Sequence, residues 1–421
     1  MKRKIESQLL AWKEKETGRM PLILGGARQI GKTYILREFG RAHFKNTAYL
    51  NLETNQKMVE YFQDGIVPER LLRYISALTG ERILPGQTLI ILDEIQACER
   101  ALTALKYFCE QMPAYHIAAS GSLLGVAVNR QNYSFPVGRV ASLTLHPFDF
   151  EEYLWAKGEN ELAAEIRQHF AAMTPMPQEL DEKAAALYRE YLLVGGMPAS
   201  ILQFLQTGSY PETAAIGREI LENYTADMAK YATAAETVQI RSCYSAIPAQ
   251  LTAKRAPSPA QQFGGSISWL KFAGIVLESR QLRLPLAPAE AQVIPAQDRL
   301  YFSDVGLLAA RAGITPAALA PENGGVAGQL LAQNYLAQQF DAQGYCLYFW
   351  QGRFGQAAPF LLQRETGMAV VLPEPGSRYQ AARLASLCKK YPALQPYCFG
   401  SRNFTQENGL ACLPMYAAFC L

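Results

Sequence analysis

The chain has only four histidines in 421 residues, His43, His116, His146 and His169, and no two are close in sequence. A histidine-based metal centre or a histidine-activated nucleophile therefore has little to be built from. Eight cysteines occur, at 98, 109, 243, 346, 388, 398, 412 and 420, but none forms Cys-x-x-Cys and no histidine falls at a zinc-like offset. Scattered thiols of this kind are expected to be reduced and mostly buried, as in a cytoplasmic protein. Long apolar runs are missing too. No stretch reaches the ~18 uninterrupted apolar residues of a membrane span. The start, MKRKIESQLLAWKEKE, carries charge without the apolar region of a secretory signal. An excess of charge of either sign is also lacking. A formal net charge of +3 does not mark a nucleic-acid or membrane-surface protein, so any such case must rest on local patches.

What is present is a 49% hydrophobic content, enough for sizeable cores. At roughly 100–200 residues each, the length predicts two to four domains. Residues 1–17 read as an amphipathic helix through Ile5, Leu9 and Trp12. Strands and helices then alternate. PLIL, TAYLNLE, TLIILDE, YHIAASGS and RVASLTLHP are strand-like, while KTYILREFG (closing at Gly40), PERLLRYISALTG and RALTALKYFCEQM are helical. This alternation predicts a parallel sheet with helices on both faces. From about Phe150 the pattern turns helical, broken at TPMP and at VGGMP, before a long helix in ETAAIGREILENYTADMAKYA.

The first strand runs into Gly26-Ala27-Arg28-Gln29-Ile30-Gly31-Lys32-Thr33, a complete G-x-x-x-x-G-K-[ST] pattern. Glycines let backbone amides turn inward around phosphate oxygens, and the helix that follows adds the partial positive charge of its N-terminus. Lys32 is expected to reach the β- and γ-phosphates and the Thr33 hydroxyl to ligate Mg²⁺. The buried strand TLIILDE is expected to supply Asp93 to hold Mg²⁺, directly or through water, and Glu94 as the base that polarises the attacking water. No Asn-Lys-x-Asp motif is present to read guanine, so ATP is the expected nucleotide. Ser120 and Ser122 end the next strand, where they either orient water or cap a loop. Arg139, in FPVGRV, is either an arginine finger, in cis or from a neighbouring protomer, or a plain surface residue.

Together PLILGGARQIGKTYILREFG, LIILDEIQACERALTALKYF, HIAASGSLLGVAVN, FPVGRVASLTLHPFDFEEYL and YLLVGGMP resemble a prokaryotic family of AAA-type ATPases with a C-terminal domain of unknown function. The similarity covers nearly the whole chain and is strongest over residues 18–205. It implies an α/β P-loop NTPase sheet at 1–148 with a helical lid at 149–235. A winged helix at 236–297 and a small endonuclease-like α/β domain at 298–421 complete the expected organisation. In that family the last fold carries Glu-Asn-Tyr, Glu-x-Asp-Phe and Glu-Val-Lys. Here these stretches read Gln333-Asn334-Tyr335, then Ala357-Ala358-Pro359-Phe360, then Pro373 and Pro375 on either side of Glu374. Alanine and proline offer no metal ligands, so nuclease activity is not expected.

Residues 236–286 hold Arg241, Lys254, Arg255, Lys271, Arg280 and Arg283 against Glu236 and Glu278. Two helical pieces precede IVLESRQLRLPL, which reads as a two-stranded wing, and LPLAPAEAQVIPAQ reads as a connector. Double-stranded DNA is a candidate partner, with Lys271 on the recognition helix and Arg280 and Arg283 on the wing. The other reading is a winged helix used for protein packing. Trp269 reads as core rather than as a base-stacking platform. The leading functional expectation is a Mg²⁺-dependent ATPase that moves its lid and C-terminal modules on an unidentified protein client, with an oligomer compatible with the fold. The alternative is a nucleotide-gated DNA-binding protein with little turnover.

Overall fold

A computed structural model of the chain describes residues 1–121, 136–253, 257–319, 325–352, 357–365, 367–373, 384, 386–407 and 409–421. They form two compact units. One is Arg3–His146 with Phe272–Gly274, and the other is Met1–Lys2, Pro147–Lys271 and Ile275–Leu421.

The first unit is built on five strands: β1 Leu22–Gly25, β2 Asn46–Asn51, β3 Thr88–Asp93, β4 His116–Ser120 and β5 Ala141–Thr144. All pair in parallel, in the order β2-β3-β4-β1-β5, as the alternating pattern predicts. A parallel sheet covered on both faces needs continuous apolar strands. Accordingly β3 is buried at every position. Ile23, Leu50, Ile90, Leu92, Leu105 and Phe108 share one core with the helices.

Helix α1, Ile5–Glu14, buries Ile5, Leu9 and Trp12, and the Trp12 indole donates to the Met20 carbonyl at 2.8 Å. Helix α2 spans Lys32–His43, three residues beyond the expected end at Gly40. Gly40 is needed inside the helix for a different reason: a Cβ there would meet Thr47 Oγ1 at 2.4 Å, so its absence lets α2 lie close on β2. Helix α3, Gln56–Asp64, is not among the expected elements. The Asn55 side chain caps it by accepting from the Met58 amide, and Met58, Val59 and Phe62 form its buried stripe. Helix α4, Pro68–Thr79, starts on Pro68 and closes at Gly80 with φ 70°, and α5 is Glu99–Gln111. Because the strands are parallel, the loop after β1, Asn51, Asp93 and Ser120 all come to the carboxyl edge of the sheet.

In the second unit, helices span Phe150–Ala156, Asn160–Ala172, Gln178–Val194, Pro198–Thr207, Tyr210–Tyr231 and Ala234–Thr252. The break at VGGMP is a close crossing. A Cβ on Gly196 would meet the Phe148 carbonyl oxygen at 2.1 Å, and one on Gly195 would meet the Gly306 Cα at 2.7 Å. Asp304 locks the crossing, accepting from the Gly196 amide at 2.5 Å, the Leu307 amide at 2.9 Å and Gln338 Nε2 at 3.3 Å. The helix Gly325–Ala342 adds buried amide side chains: Asn334 holds Phe302 through both its N–H and C=O, and Gln339 accepts from the Phe150 amide. Asn334 uses both ends of its amide in this way, whereas Gln339 uses its oxygen and leaves its buried Nε2 without a partner among the described residues.

The region expected to be a winged helix ends in a hairpin that is part of a larger sheet. After helices Pro259–Phe263 and Gly265–Phe272 comes β6, Val276–Leu282, antiparallel to β7, Val293–Phe302. The connector LPLAPAEAQVIPAQ therefore includes the start of a strand, and the expected boundary at 297/298 falls inside β7. β6 also pairs in parallel with β8, Leu347–Gln351. Beyond it lie β9 Ala357–Gln363, β10 Met368–Pro373, β11 Leu394–Gly400, β12 Thr405–Glu407 and β13 Leu410–Pro414. These eight strands form one sheet, ordered β12-β13-β11-β10-β9-β8-β6-β7. The physical reason is the second edge of β6. Its amides and carbonyls facing away from β7 need partners, and β8 supplies them. Trp269 is buried, as expected.

Candidate functional site

The phosphate-binding loop follows β1 directly. Gly26 has φ 130°, and a Cβ on it would meet the Leu145 carbonyl oxygen at 2.3 Å and Ile30 Cδ1 at 2.5 Å. Gly31, the N-cap of α2, has φ 93°. Both glycines are therefore required by conformation, and Gly26 by space as well. Ile30 is fully buried and pins the loop, whereas Arg28 and Gln29 are exposed, Gln29 with φ 66°. Arg3, which the sequence reading passed over, donates to the Ile30 carbonyl at 3.5 Å and to the His146 carbonyl at 2.6 Å, bracing the loop from behind. The amides of Lys32, Thr33 and Tyr34 are first-turn donors that an α-helix leaves without internal partners.

Lys32 is buried, and its ammonium donates to the Gly26 carbonyl at 3.0 Å and the Ala27 carbonyl at 2.6 Å. Burial pushes its pKa down to about 8, opposed by the nearby Glu94 and Asp93. A cation held in a desolvated loop against neutral carbonyls is suited to an incoming anion.

Asp93, at the end of β3, is the focus of the carboxyl edge. Its Oδ2 accepts from Thr33 Oγ1 at 2.8 Å and from the Tyr49 hydroxyl at 2.9 Å. Its Oδ1 accepts from Ser120 Oγ at 2.5 Å and from the Glu94 amide at 3.1 Å. Since Thr33 spends its hydroxyl proton on Asp93, the lone pairs of Oγ1 are left for a hard cation. The donor set of one hydroxyl and one carboxylate beside a phosphate loop is what Mg²⁺ uses when it keeps several waters. Glu94 sits half-buried in the left-handed region at φ 51°, with Gln96 Nε2 donating to its Oε2 at 2.5 Å. For a glutamate that backbone costs energy, and such strain is concentrated where side-chain direction matters.

The structure thus brings together Gly26, Ala27, Gly31, Lys32, Thr33, Asp93, Glu94 and Ser120. The Ser120 hydroxyl faces Asp93, so its direct partner is that carboxylate. Ser122 lies outside the described residues. Arg139 is a correction for action in cis. It stands just before β5, whose Ala141 is in register with Leu22 at the start of β1, and the phosphate loop begins past the other end of β1. There Arg139 pairs with Glu110 at 3.2 Å. Tyr49 was missed by the sequence reading. Its place follows from strand register, since it lies two residues before Asn51, which pairs with Asp93, and the sequence alone does not carry that.

Fold and site together define a P-loop nucleotide-binding domain. Residues 18–154 match the AAA domain family and residues 185–318 match a domain of unknown function (DUF8612). The chain therefore carries an AAA-type domain followed by a domain of unknown function. Among curated proteins none matches it. Among solved structures it is similar to AMPPCP-bound DnaA from Aquifex aeolicus, at 12% identity over 64% of this chain and 88% of that one, with a TM-score of 0.27. It is also similar to the ORC2 protein of Aeropyrum pernix, at 14% identity over 76% and 96%, TM-score 0.31. The corresponding figures for RuvB from Thermotoga maritima are 13% identity over 70% and 89%, TM-score 0.29. Likenesses of this degree carry no argument about function.

Among the described residues, no helix is long and apolar enough to cross a membrane, and no group of three or more His, Cys, Asp or Glu is placed to hold a metal ion. Of the positions that the family resemblance equates with nuclease ligands, Gln333 lies on the helix Gly325–Ala342, Ala357 and Ala358 begin β9, and Pro373 ends β10. Glu374 and Pro375 lie outside the described residues.

Proposed function

We propose that this chain binds ATP with Mg²⁺ and hydrolyses it, using the cycle to rearrange its second unit on a protein client. The observation that supports this best is the convergence on Asp93 of Thr33 from the phosphate-loop helix and Ser120 from the neighbouring strand, with Lys32 buried in the loop alongside. Loop amides and Lys32 hold the phosphates. Thr33 and Asp93 hold Mg²⁺, which when bound neutralises phosphate charge. Glu94 orients and deprotonates the attacking water, and Ser120 keeps the Asp93 carboxylate in place. In a steady-state phosphate-release assay, Glu94→Gln should bind ATP and fail to turn it over. Equal turnover by wild type and Glu94→Gln removes Glu94 from this role.

The nucleotide-gated DNA-binding reading is supported by the order of three helices followed by the β6–β7 hairpin. Its cations are largely engaged, however. Lys271 pairs with Glu278, Arg280 with Glu290, and Arg241 donates to the Thr225 carbonyl. Lys254 and Arg255 lie outside the described residues. Arg283, exposed at the end of β6, is the cation on which this reading chiefly stands. A gel shift of duplex DNA that weakens with salt, and weakens further in the Arg280/Arg283 double alanine variant, would support it.

A further inference from the structure

Tyr49 is the one donor to Asp93 that neither the phosphate loop nor the strand tips of the expected site supply. In β2 it pairs in register with Ile91, while Asn51 pairs with Asp93, so Tyr49 is the diagonal neighbour of Asp93 across the two strands. A diagonal neighbour is beyond the reach of a short side chain and within reach of a phenol. Its hydroxyl shares Asp93 Oδ2 with Thr33.

The ring is held as well as the hydroxyl. Arg37 lies four residues after Thr33 on α2, hence on the same helix face, and its guanidinium stands 5.0 Å from the Tyr49 ring centroid. One face of α2 thus makes two contacts with the edge of the sheet: Thr33 to Asp93, and Arg37 to the residue that orients Asp93. Outside them runs a groove of about 670 Å³ lined in part by Thr33, Tyr34, Arg37, Arg41 and Tyr49.

We infer that Tyr49 is a positioning residue for Mg²⁺. Its hydroxyl fixes the Asp93 carboxylate so that the metal is met by a preset pair, Thr33 Oγ1 and Asp93. This rests on the Mg²⁺ and nucleotide reading above. Partners one step out from a metal ligand set its orientation, and losing one typically weakens metal affinity by about 10–100-fold.

The test measures equilibrium binding of a fluorescent ATP analogue to the full chain across a Mg²⁺ titration, for wild type and Tyr49→Phe, with Mn²⁺ paramagnetic resonance as the direct readout of the metal. Tyr49→Phe should leave nucleotide affinity without metal unchanged, because Lys32 and the loop are untouched. It should raise the Mg²⁺ midpoint about tenfold and broaden or shift the bound Mn²⁺ signal. Mg²⁺ midpoints that agree between wild type and variant overturn this inference and leave the proposed function standing. Equal losses with and without metal make Tyr49 a packing residue and also overturn it. A wild type whose nucleotide binding ignores Mg²⁺ overturns both readings.

Discussion

Thr33 Oγ1 donates to Asp93 Oδ2 at 2.8 Å, across sixty residues of sequence. The contact joins the first turn of α2 to the end of β3, and it orients both groups. The hydroxyl proton is spent on the carboxylate, which leaves the oxygen lone pairs of Thr33 for the proposed Mg²⁺. Thr33→Val keeps the shape and removes the hydroxyl. It should weaken Mg²⁺-dependent nucleotide binding at least tenfold, read by titration calorimetry with and without metal, while leaving the metal-free affinity near that of the wild type.

Lys32 gives a pH signature. Its folded pKa lies near 8 against an ordinary 10.5, chiefly through burial. Between those values the unfolded chain binds the extra proton, so this group's contribution to stability improves as pH rises from about 8 to about 10.5, and is constant below 8. Phosphate oxygens at the ammonium favour its charged form. Nucleotide binding near pH 8 should therefore take up a proton, and affinity should fall as pH rises above 8. Calorimetry in two buffers of different ionisation enthalpy measures the uptake, and equal observed heats in the two buffers would show that no proton is taken up and that the lysine is not the responding group.

Gly26 should tolerate no side chain. Gly26→Ala meets the Leu145 carbonyl oxygen and Ile30 in a backbone region that alanine rarely adopts. A loss of about 2 kcal/mol or more in stability is expected, together with loss of nucleotide binding. Gly80→Ala is the control, because its φ of 70° is also unfavourable but nothing lies within 4 Å of the added methyl. It should cost about 1 kcal/mol and leave binding intact. Chemical denaturation of both variants checks the contrast.

Asp304 makes a different kind of prediction, since it serves the architecture of the second unit. Burial pushes its pKa up from 3.8 to about 6, and hydrogen bonds from the Gly196 and Leu307 amides only partly offset this. A folded state that holds its proton more tightly loses stability as pH rises from about 4 to about 6. Asp304→Ala removes that slope and leaves two buried amides without an acceptor, so it should still be destabilised by about 2–4 kcal/mol. Unfolding free energies at pH 4, 5, 6 and 7 for both proteins measure this.

The AAA-type unit was largely legible because its chemistry is local. Gly26, Gly31, Lys32 and Thr33 are contiguous, and Asp93 and Glu94 end an apolar strand that can only be central. Tyr49 and Arg3 escaped because their roles come from register and from chain return: neither a tyrosine in an edge strand nor an arginine at the N-terminus carries a local signal. Gly40 misled for a related reason. In sequence it resembles a helix end, while in space it is the point where α2 touches Thr47. The strand in IVLESRQLRLPL was legible from its alternation but its partners were not: β7 starts in the stretch that reads as a connector, and alternation does not say what the second edge of β6 pairs with. Only β8, sixty-five residues after the end of β6 on reaching Leu347, completes it. The positive excess over residues 236–286 is smaller in space than in sequence, because Glu290, just beyond that stretch, pairs with Arg280.

The most direct measurement of the central claim is equilibrium binding of ATP with Mg²⁺ to wild type and to Lys32→Ala, both checked for folding by circular dichroism. The account predicts saturable binding by the wild type and a loss of at least a hundredfold in affinity in a folded Lys32→Ala, from removal of the one buried cation in the phosphate loop. Equal affinity of the two folded proteins for Mg²⁺–ATP would contradict it.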